Sequence, residues 1–527
     1  MVAVQLGVLL AAYLVYRTLS SLLRARRFAA FAKQHGCGKP RDLTEPRWYK
    51  RFARIRRIMS MKATGEDILD DIISEDFKDG STMGRTSFEG STVLSTIEPA
   101  NLQAILATQF EDFETGNLRY LQLRPVLGRS IFTSDGAFWQ HSRALFRPQF
   151  SRDNINDLDA TEKAIHALFA AIGPGDNAGW TRAVDLQPMM FNFTLDTASD
   201  FLFGESAESQ AAMMVAEGRQ PPGTAGITDP NAEVGSKQFR QDFTRTGEQL
   251  IWRIRLFSMY WLADGIEFRR AASRVKRFTE RYVQAAVTAA ASGKVEGGKE
   301  TLLARLATQT QDRTELRNQT LAILFAGRDT TASFLGWAFL RLALHPDILQ
   351  KLRAAILKDF DSDAPITFAT LKDCRYLRHF LNEVLRLHPT VPLNARTATR
   401  DTTLPTGGGP DQTSPIAVPK GQTVGFSVYL MHRRTDLWGP DALEFRPERW
   451  EERVPAWQFL PFLGGPRVCL GQQFALVEAS YVLVRMLQRF DGIEPVDRAL
   501  MMKMRKGLGL TMCPVDGVNI RLHEAMN

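Results

Sequence analysis

FLPFLGGPRVCLGQQFA, residues 459–475, places one cysteine, Cys469, among three glycines. Glycine allows the backbone to approach a bulky planar group closely, and apolar residues at spacings of three and four after Gly471 predict a helix. Cys469 would then lie at a helix N-terminus, where the dipole favours an anionic sulfur and lowers the pKa of the thiol. A thiolate in an apolar loop is a soft metal ligand. The alternative is that Cys469 is a small buried hydrophobic residue.

The composition indicates a large folded chain in a reducing compartment. Hydrophobic residues make up 44% of the 527, which is enough for a large core and excludes global disorder. The four cysteines lie far apart without a C-x-x-C pair, which argues against a zinc site or a disulfide framework. A net charge of +8 is compatible with nucleic acid, acidic lipid or an acidic protein partner. No basic run is interleaved with aromatic residues, so nucleic acid is not predicted.

The N-terminal segment predicts an uncleaved membrane anchor. Residues 2–16 carry no charge and the apolar character continues to Leu23, which matches the ~20 residues that a span needs. Arginines follow at 24, 26 and 27, so the positive-inside rule predicts that the body of the chain is cytosolic. The alternatives are a cleaved signal peptide, whose basic n-region is missing, and an interfacial helix. We predict an anchor over residues 1–23, a basic linker over 24–60 and one large domain over 61–527.

The run from Leu316 to Leu344 predicts a long helix through the centre of that domain, because it is apolar nearly all round. Its middle nevertheless reads AGRDTTA, with an acid and two hydroxyls where a core helix disfavours them. The alternative is a helix whose threonine hydroxyls bond back to its own backbone. Local rules that fail inside a core helix are typical of a functional site.

Three further patterns place charged residues at helical or turn spacings. Trp139 and Arg143 are four apart and share one helix face, although a surface arginine lying over a tryptophan has the same spacing. Glu383 and Arg386 are three apart in LNEVLRLHP, and Arg449 follows in FRPERW. An isolated E-x-x-R is also a common surface pair.

Shorter patterns predict the smaller elements. TSFEGSTVLST predicts strands and EPANLQAILAT a short helix. The Gly-, Pro- and Asp-rich residues 218–236 predict a long loop. KGLGLTM and VNIRL predict a closing hairpin near the C-terminus.

In this order, five motifs resemble the cytochrome P-450 superfamily: W-x-x-x-R, A-G-x-D-T-T, E-x-x-R, P-E-R-W and the loop F-x-x-G-x-R-x-C-x-G. The resemblance implies a mainly α fold with small β-sheets (α+β), a single large haem domain behind the N-terminal helix. It also implies haem b with an axial cysteine thiolate and the use of O2.

The resemblance assigns expected roles residue by residue. It implies that Cys469 binds the iron, that Asp329 and Thr330 deliver protons, and that a Glu–Arg–Arg network braces the core. The residues implied to contact haem or dioxygen are Cys469, Trp139, Arg143, Arg396, Phe462, Arg467, Gly471, Ala326 and Gly327. The implied structural residues are Glu383, Arg386 and Arg449.

The implied function is a haem-thiolate monooxygenase that inserts one oxygen atom of O2 into a C–H bond of a hydrophobic substrate. LPTGGGPDQTSPIAVPKGQ and VYLMHRR resemble the fungal branch that hydroxylates alkanes and fatty acids. A fungal tailoring oxygenase acting on a polyketide, terpenoid or alkaloid is the alternative. A haem-based gas-binding protein is a further alternative, which the acid–hydroxyl pair disfavours.

The implied partners are a hydrophobic substrate, membrane lipid and an electron donor. No G-x-G-x-x-G follows a predicted strand, so we expect electrons from NADPH through a separate NADPH-cytochrome P-450 reductase. The expected location is the endoplasmic reticulum membrane, single-pass, with the catalytic domain in the cytosol.

Overall fold

The computed structural model describes residues 2–64, 66–87, 90–150, 158–221, 230–292, 301–360 and 366–525. Its α-helices are α1 (Val2–Gln34), α2 (Trp48–Thr64), α3 (Pro99–Gln103), α4 (Asn117–Leu127), α5 (Gly136–Phe146), α6 (Asp159–Ile172), α7 (Leu186–Phe203), α8 (Ser209–Ala216), α9 (Pro230–Arg255), α10 (Ile266–Ser292), α11 (Leu302–Gln309), α12 (Arg313–Leu344), α13 (Pro346–Asp359), α14 (Phe368–Asp373), α15 (Arg375–Leu387), α16 (Val428–Met431), α17 (Thr435–Trp438), α18 (Gln472–Arg489) and α19 (Arg498–Met502).

The strands are short. They are β1 (Arg41–Asp42), β2 (Thr82–Thr86), β3 (Thr92–Thr96), β4 (Phe113–Glu114), β5 (Val184–Asp185), β6 (Leu393–Ala398), β7 (Thr402–Gly408), β8 (Ser414–Val418), β9 (Thr423–Ser427), β10 (Phe490–Pro495), β11 (Lys506–Leu508), β12 (Met512–Pro514) and β13 (Asn519–Glu524). Short π or 3-10 turns lie at Ile68–Ile73, Ser74–Phe77, Ala104–Thr108, Phe110–Asp112, Arg147–Phe150, Phe257–Ala263, Pro447–Glu451 and Gly465–Arg467.

The N-terminal helix α1 is the one helix among the described residues that is long and apolar enough to cross a membrane. Its described side chains are largely exposed, which indicates membrane anchoring. The helix runs to Gln34, beyond the predicted end at Leu23, because the arginines that follow Leu23 are good helix formers. The predicted linker also contains helix α2.

The chain divides into two compact units. The sheet unit comprises Met1–Glu114, Leu393–Met431 and Leu463–Arg467, and the helical unit comprises Thr115–Pro392, His432–Phe462 and Val468–Asn527. The predicted single domain over residues 61–527 stays a prediction. The sheet unit contains a six-stranded mixed sheet in the order β1-β2-β3-β9-β6-β4, with β7 and β8 as a separate antiparallel pair.

In the helical unit, helix α12 is central. Asp312 caps its N-terminus by accepting from the backbone N–H groups of Thr314 and Glu315, and Pro346 starts the next helix after it. Every residue from Thr331 to Leu344 is buried, as predicted for a helix that is apolar all round. Helix α7 packs against it: the Thr194 hydroxyl donates to the Arg328 carbonyl oxygen at 2.8 Å.

The smaller predictions have mixed outcomes. The predicted strand stretch, residues 86–96, holds the last residue of β2 and all of β3, with residues 88 and 89 outside the described residues. The predicted short helix forms as α3. Residues 222–229 of the predicted long loop also lie outside the described residues. The closing hairpin is wrong in part: KGLGLTM supplies both β11 and the start of β12, whereas VNIRL pairs with β10 and β5.

Candidate active site

The cysteine loop closes on itself at the start of helix α18. The Cys469 backbone N–H donates to the Phe462 carbonyl oxygen at 3.1 Å, which joins the two ends of the loop. Gly471 is the N-cap of α18, and its backbone N–H donates to the Cys469 sulfur. The prediction that Cys469 lies immediately before a helix is therefore confirmed.

The thiol of Cys469 faces a space that is enclosed by protein. Its side chain is exposed, yet desolvation raises the pKa of the thiol, and this effect outweighs the lowering by the Gly471 N–H and by Arg143. An exposed group that is also desolvated lines a recess. The expectation that the helix terminus alone lowers the pKa of this thiol is wrong, because burial dominates.

Arg143 and Trp139 lie on one face of α5, as their spacing predicted. The guanidinium lies 5.9 Å from the centroid of the Trp139 ring, and its Nη1 donates to the Val468 carbonyl oxygen at 3.0 Å, next to Cys469. Desolvation lowers the pKa of Arg143, and Cys469 opposes that shift. A guanidinium has five N–H donors, and among the described residues Arg143 uses one of them, in this hydrogen bond, so the other donors could bind a carboxylate.

Helix α12 is buried over most of its length, but a short stretch in its middle is partly accessible. Residues 326–330 are all partly accessible, although the residues that follow them to Leu344 are buried. These five residues are the first five of the A-G-x-D-T-T motif, and the sixth, Thr331, is buried.

Within this stretch the two predicted catalytic side chains have local partners. The Thr330 hydroxyl donates to the Ala326 carbonyl oxygen at 2.6 Å, the back-bonded geometry that the sequence analysis left as the alternative. The Asp329 carboxylate pairs with Arg328 at 3.0 Å. Desolvation nevertheless raises the pKa of Asp329, in spite of the opposing effect of Arg328. The group is therefore easier to protonate than an ordinary aspartate.

Gly327 is not required by packing against α7. A Cβ at this position would approach the Cβ of Ala198 at 3.8 Å, which is an ordinary contact. The implied contact of Ala326 and Gly327 with haem or dioxygen stays a prediction. Gly465 differs, because its φ is +67° and a Cβ there would overlap the carbonyl oxygen of Leu106.

A buried carboxylate that the sequence analysis missed connects α18 to α12. Glu478 lies nine residues after Cys469 and accepts from the Thr197 hydroxyl at 2.6 Å and from the Thr331 hydroxyl. Desolvation raises the pKa of Glu478 to about 7. The sequence did contain a signal for this residue. Glu478 lies four residues after Phe474, so it is a charged residue at a position on the apolar face of α18.

The Glu383–Arg386 pair is fully buried, so it is not a surface pair. Arg386 binds Glu383 through two hydrogen bonds of 2.9 and 2.8 Å. Its remaining donors bind the carbonyl oxygens of His432, Ala442 and Glu444. This one side chain therefore joins α15 to the segment that precedes the cysteine loop.

The network is larger than predicted. Arg449 lies 3.6 Å from Glu383 but only 2.9 Å from Asp441, which is its nearer partner. The Trp450 indole N–H donates to Glu383 at 3.0 Å. His432 accepts from the Leu460 backbone N–H at 2.9 Å through Nε2, and its Nδ1 lies 3.2 Å from the Arg386 carbonyl oxygen.

Arg396 and Arg467 belong to the sheet unit. Arg396 is buried on strand β6, and its Nη1 donates to Asn394 Oδ1 and to the Ala395 carbonyl oxygen, each at 2.8 Å. Arg467 is half-buried in the 3-10 turn Gly465–Arg467. Their predicted contacts with haem stay predictions.

The residues of the helical unit fit a haem. The desolvated sulfur of Cys469 is a soft ligand with an N–H donor to its lone pairs. Arg143 lies beside it with N–H donors that bond to no described residue, and α12 is partly accessible at its acid–hydroxyl motif. These features define a haem-thiolate protein.

The comparisons with known proteins agree with this class. The sequence profile of the cytochrome P-450 family matches residues 58–516, and the chain belongs to that family. It is 43% identical over 523 residues to cytochrome P-450 monooxygenase g430 of a Fusarium species, covering 97% of this chain and 88% of the relative. It is 41% identical over 500 residues to monooxygenase alt2 of Alternaria solani, with 91% and 89% covered. It is 44% identical over 440 residues to cytochrome P-450 52A5 of Candida maltosa, with 82% and 81% covered.

Family membership confirms the predicted fold class and the predicted monooxygenase activity. It also establishes haem-thiolate iron and the use of O2. Members generally use a redox partner and hydrophobic substrates. The roles of individual site residues stay predictions.

Proposed function

We propose that this protein is a membrane-anchored monooxygenase that hydroxylates long-chain aliphatic substrates, with Cys469 as its iron ligand. The observation that carries the proposal is the accessible stretch 326–330 in a buried helix, which holds Asp329 and Thr330. A gas-binding protein has no need of an acid and a hydroxyl at this place.

When bound, haem supplies the activation of dioxygen, and the thiolate ligand favours O–O cleavage. The chain's own residues position the cofactor and control protons. Arg143 and Trp139 would bind a haem propionate, for which a guanidinium fork is well suited. The resemblance to the family assigns a propionate contact to Arg396 as well.

Asp329 lies next to Thr330 along the helix and takes up a proton more readily than an ordinary aspartate, since burial raises the pKa of its carboxyl. The Thr330 hydroxyl accepts from such donors while it donates to Ala326. In this proposal protons reach the site through these two groups.

The aliphatic substrate class is supported by the resemblance to the fungal hydroxylase branch. A tailoring oxygenase is the second candidate, because identity to the Fusarium relative (43%) and to the Candida relative (44%) is the same within a percentage point. Both candidate functions would use the same haem-site residues of this chain.

The proposed location is the endoplasmic reticulum, with α1 as a single span and the body of the chain in the cytosol. The apolar length of α1 and the arginines that follow Leu23 support this orientation. The proposed electron source is a separate NADPH-dependent reductase.

The iron ligand is tested by replacing Cys469 with serine. We expect loss of the thiolate-type absorbance of the reduced carbon monoxide complex, while the matched variant Cys37→Ser retains it. An unchanged spectrum in Cys469→Ser would place the ligand elsewhere.

The substrate class is tested by spectral titration with aliphatic compounds of graded chain length. We expect affinity to increase with chain length because each buried methylene contributes about 0.8 kcal/mol. Absence of binding at every length would exclude the aliphatic class and favour the tailoring enzyme.

A further inference from the structure

Arg255, the last residue of α9, is a half-buried cation without a carboxylate partner in the described part of the chain. Its Nη2 donates to the Leu508 carbonyl oxygen at 2.6 Å, and its guanidinium lies 5.2 Å from the centroid of the Trp252 ring. Desolvation lowers the pKa of Arg255, and no neighbouring charge opposes this shift. Four of its five N–H donors therefore have no acceptor among the described residues.

A neighbouring arginine shows the usual arrangement. Arg253 is also desolvated, but it pairs with Asp264 and donates to the carbonyl oxygens of Gln122 and Leu121 at 2.6 and 2.7 Å. A desolvated charge is costly unless it is paired. Arg255 carries that cost without the compensation, which is typical of a group that binds a ligand.

Arg255 bonds to the hairpin formed by β11 and β12, and this hairpin is hydrogen-bonded to helix α12. The Thr511 hydroxyl, between β11 and β12, lies 2.8 Å from the Ser333 hydroxyl and donates to the Asp329 carbonyl oxygen at 3.3 Å. Leu508 is three residues from Thr511, so the two are at most about 10–11 Å apart. The N–H groups of Arg255 that have no acceptor among the described residues are therefore near the A-G-x-D-T-T motif but do not contact it.

Helix α9 also contacts helix α12 directly. The ring of Phe243 stacks on Phe325 with centroids 3.9 Å apart, and Arg328 Nη2 donates to the Thr244 hydroxyl at 3.2 Å. The residues between β11 and Thr511 remain partly accessible. Helix α9 and the hairpin therefore both contact helix α12 next to residues 326–330, and Arg255 joins α9 to the hairpin.

We infer that Arg255 binds the carboxylate of an anionic long-chain substrate, so that the enzyme takes fatty acids in preference to uncharged chains. This inference rests on the proposed aliphatic hydroxylation and narrows its substrate class. A guanidinium fork fits a carboxylate in bidentate geometry, and the charge-assisted hydrogen bonds are strong in a desolvated place.

The test compares laurate with methyl laurate, which has the same acyl chain without the charge, on the haem-loaded full-length protein. We expect the wild type to prefer laurate and Arg255→Gln to weaken laurate binding by about 10- to 100-fold. Methyl laurate binding should change less than about twofold. Arg255→Lys, which keeps the charge and a donor for Leu508, should be intermediate.

Arg245→Gln is the matched control, because Arg245 lies on the same helix, is exposed and has only a weak pair with Glu267 at 3.8 Å. It should bind both compounds like the wild type. The rise in unfolding temperature on adding each compound gives a second readout that does not depend on the haem spectrum.

Three outcomes would overturn the inference. Equal weakening of laurate and methyl laurate in Arg255→Gln would mean that Arg255 only holds the hairpin. Equal binding of both compounds by the wild type and by Arg255→Gln would leave the aliphatic function intact without carboxylate recognition. Binding of neither compound, with an intact thiolate spectrum, would overturn the proposed substrate class and this inference together.

Discussion

Replacing Glu383 with glutamine is a sharp test of the buried network, because the side-chain shape is kept and the charge is lost. The two carboxylate oxygens accept two hydrogen bonds from Arg386, one from the Arg446 backbone N–H and one from the Trp450 indole. An amide has one oxygen and one NH2 group. The NH2 group of the glutamine would therefore face N–H donors and could not accept hydrogen bonds from them.

The cost follows from these contacts. Breaking a buried ion pair by removing one partner costs about 3–5 kcal/mol. A buried donor left without an acceptor adds about 1–3 kcal/mol. The expected loss of about 4–8 kcal/mol is comparable with the whole free energy of unfolding of a typical protein, about 5–15 kcal/mol.

The assay measures haem content of the purified protein and urea unfolding followed by tryptophan fluorescence. Glu448→Gln is the matched control, since Glu448 lies next to Arg449 and bonds to Lys351 and Tyr376 at 3.1 and 3.0 Å in a more exposed place. A pair of that kind contributes at most about 1 kcal/mol.

We expect Glu383→Gln to yield little folded, haem-loaded protein and Glu448→Gln to resemble the wild type. If the two variants lose the same free energy of unfolding, within about 1 kcal/mol, the pair does not brace the core and the argument from burial fails.

The other predictions concern proton delivery, the anchor and acid stability. Thr330→Ala should lower the ratio of product formed to NADPH consumed and release hydrogen peroxide, whereas Thr330→Ser should not; an unchanged ratio would leave the hydroxyl only its bond to Ala326. Deleting residues 2–34 should move most of the protein to the soluble fraction in sedimentation with its haem spectrum intact, with some residual attachment through exposed apolar residues such as Trp261; loss of haem would contradict a role as anchor only. Burial beside the Arg386 charge lowers the pKa of His432 to about 3, so the native state binds fewer protons than the unfolded state below about pH 6.5. Stability from this group is complete above that pH and is lost as the pH falls toward 3, by about 2 kcal/mol at pH 5. Urea unfolding at pH 7 and pH 5 should show a weaker pH dependence in His432→Gln, and an equal dependence would refute the assignment.

Local sequence patterns predicted the helices that carry the site residues. Glu383 and Arg386 are one helical turn apart, so their pairing follows from periodicity alone. Asp441 and Trp450 join them from 58 and 67 residues along the chain, and only the tertiary fold brings them there. The burial that raises the pKa of Cys469 is likewise a property of the packed structure.

Strand pairing near the C-terminus shows the same limit. The sequence favoured local pairing of the two last β segments, but β13 pairs with β10, whose partner residues lie 25 to 34 positions earlier. Ile520 and Leu522 are completely buried in that position. The pairing that buries more apolar surface is preferred over the shorter connection.

The two adjacent threonines of the motif have different partners, which the sequence alone does not reveal. The Thr330 hydroxyl bonds within its own helix and remains partly accessible. The Thr331 hydroxyl is buried and donates to Glu478 on the helix that follows Cys469. Because a hydroxyl has one proton to donate, Thr331 serves to hold that buried carboxylate and to join the two helices. We therefore predict that Thr330, the accessible hydroxyl, is the one that acts on protons, whereas Thr331 joins helix α12 to the helix that follows Cys469.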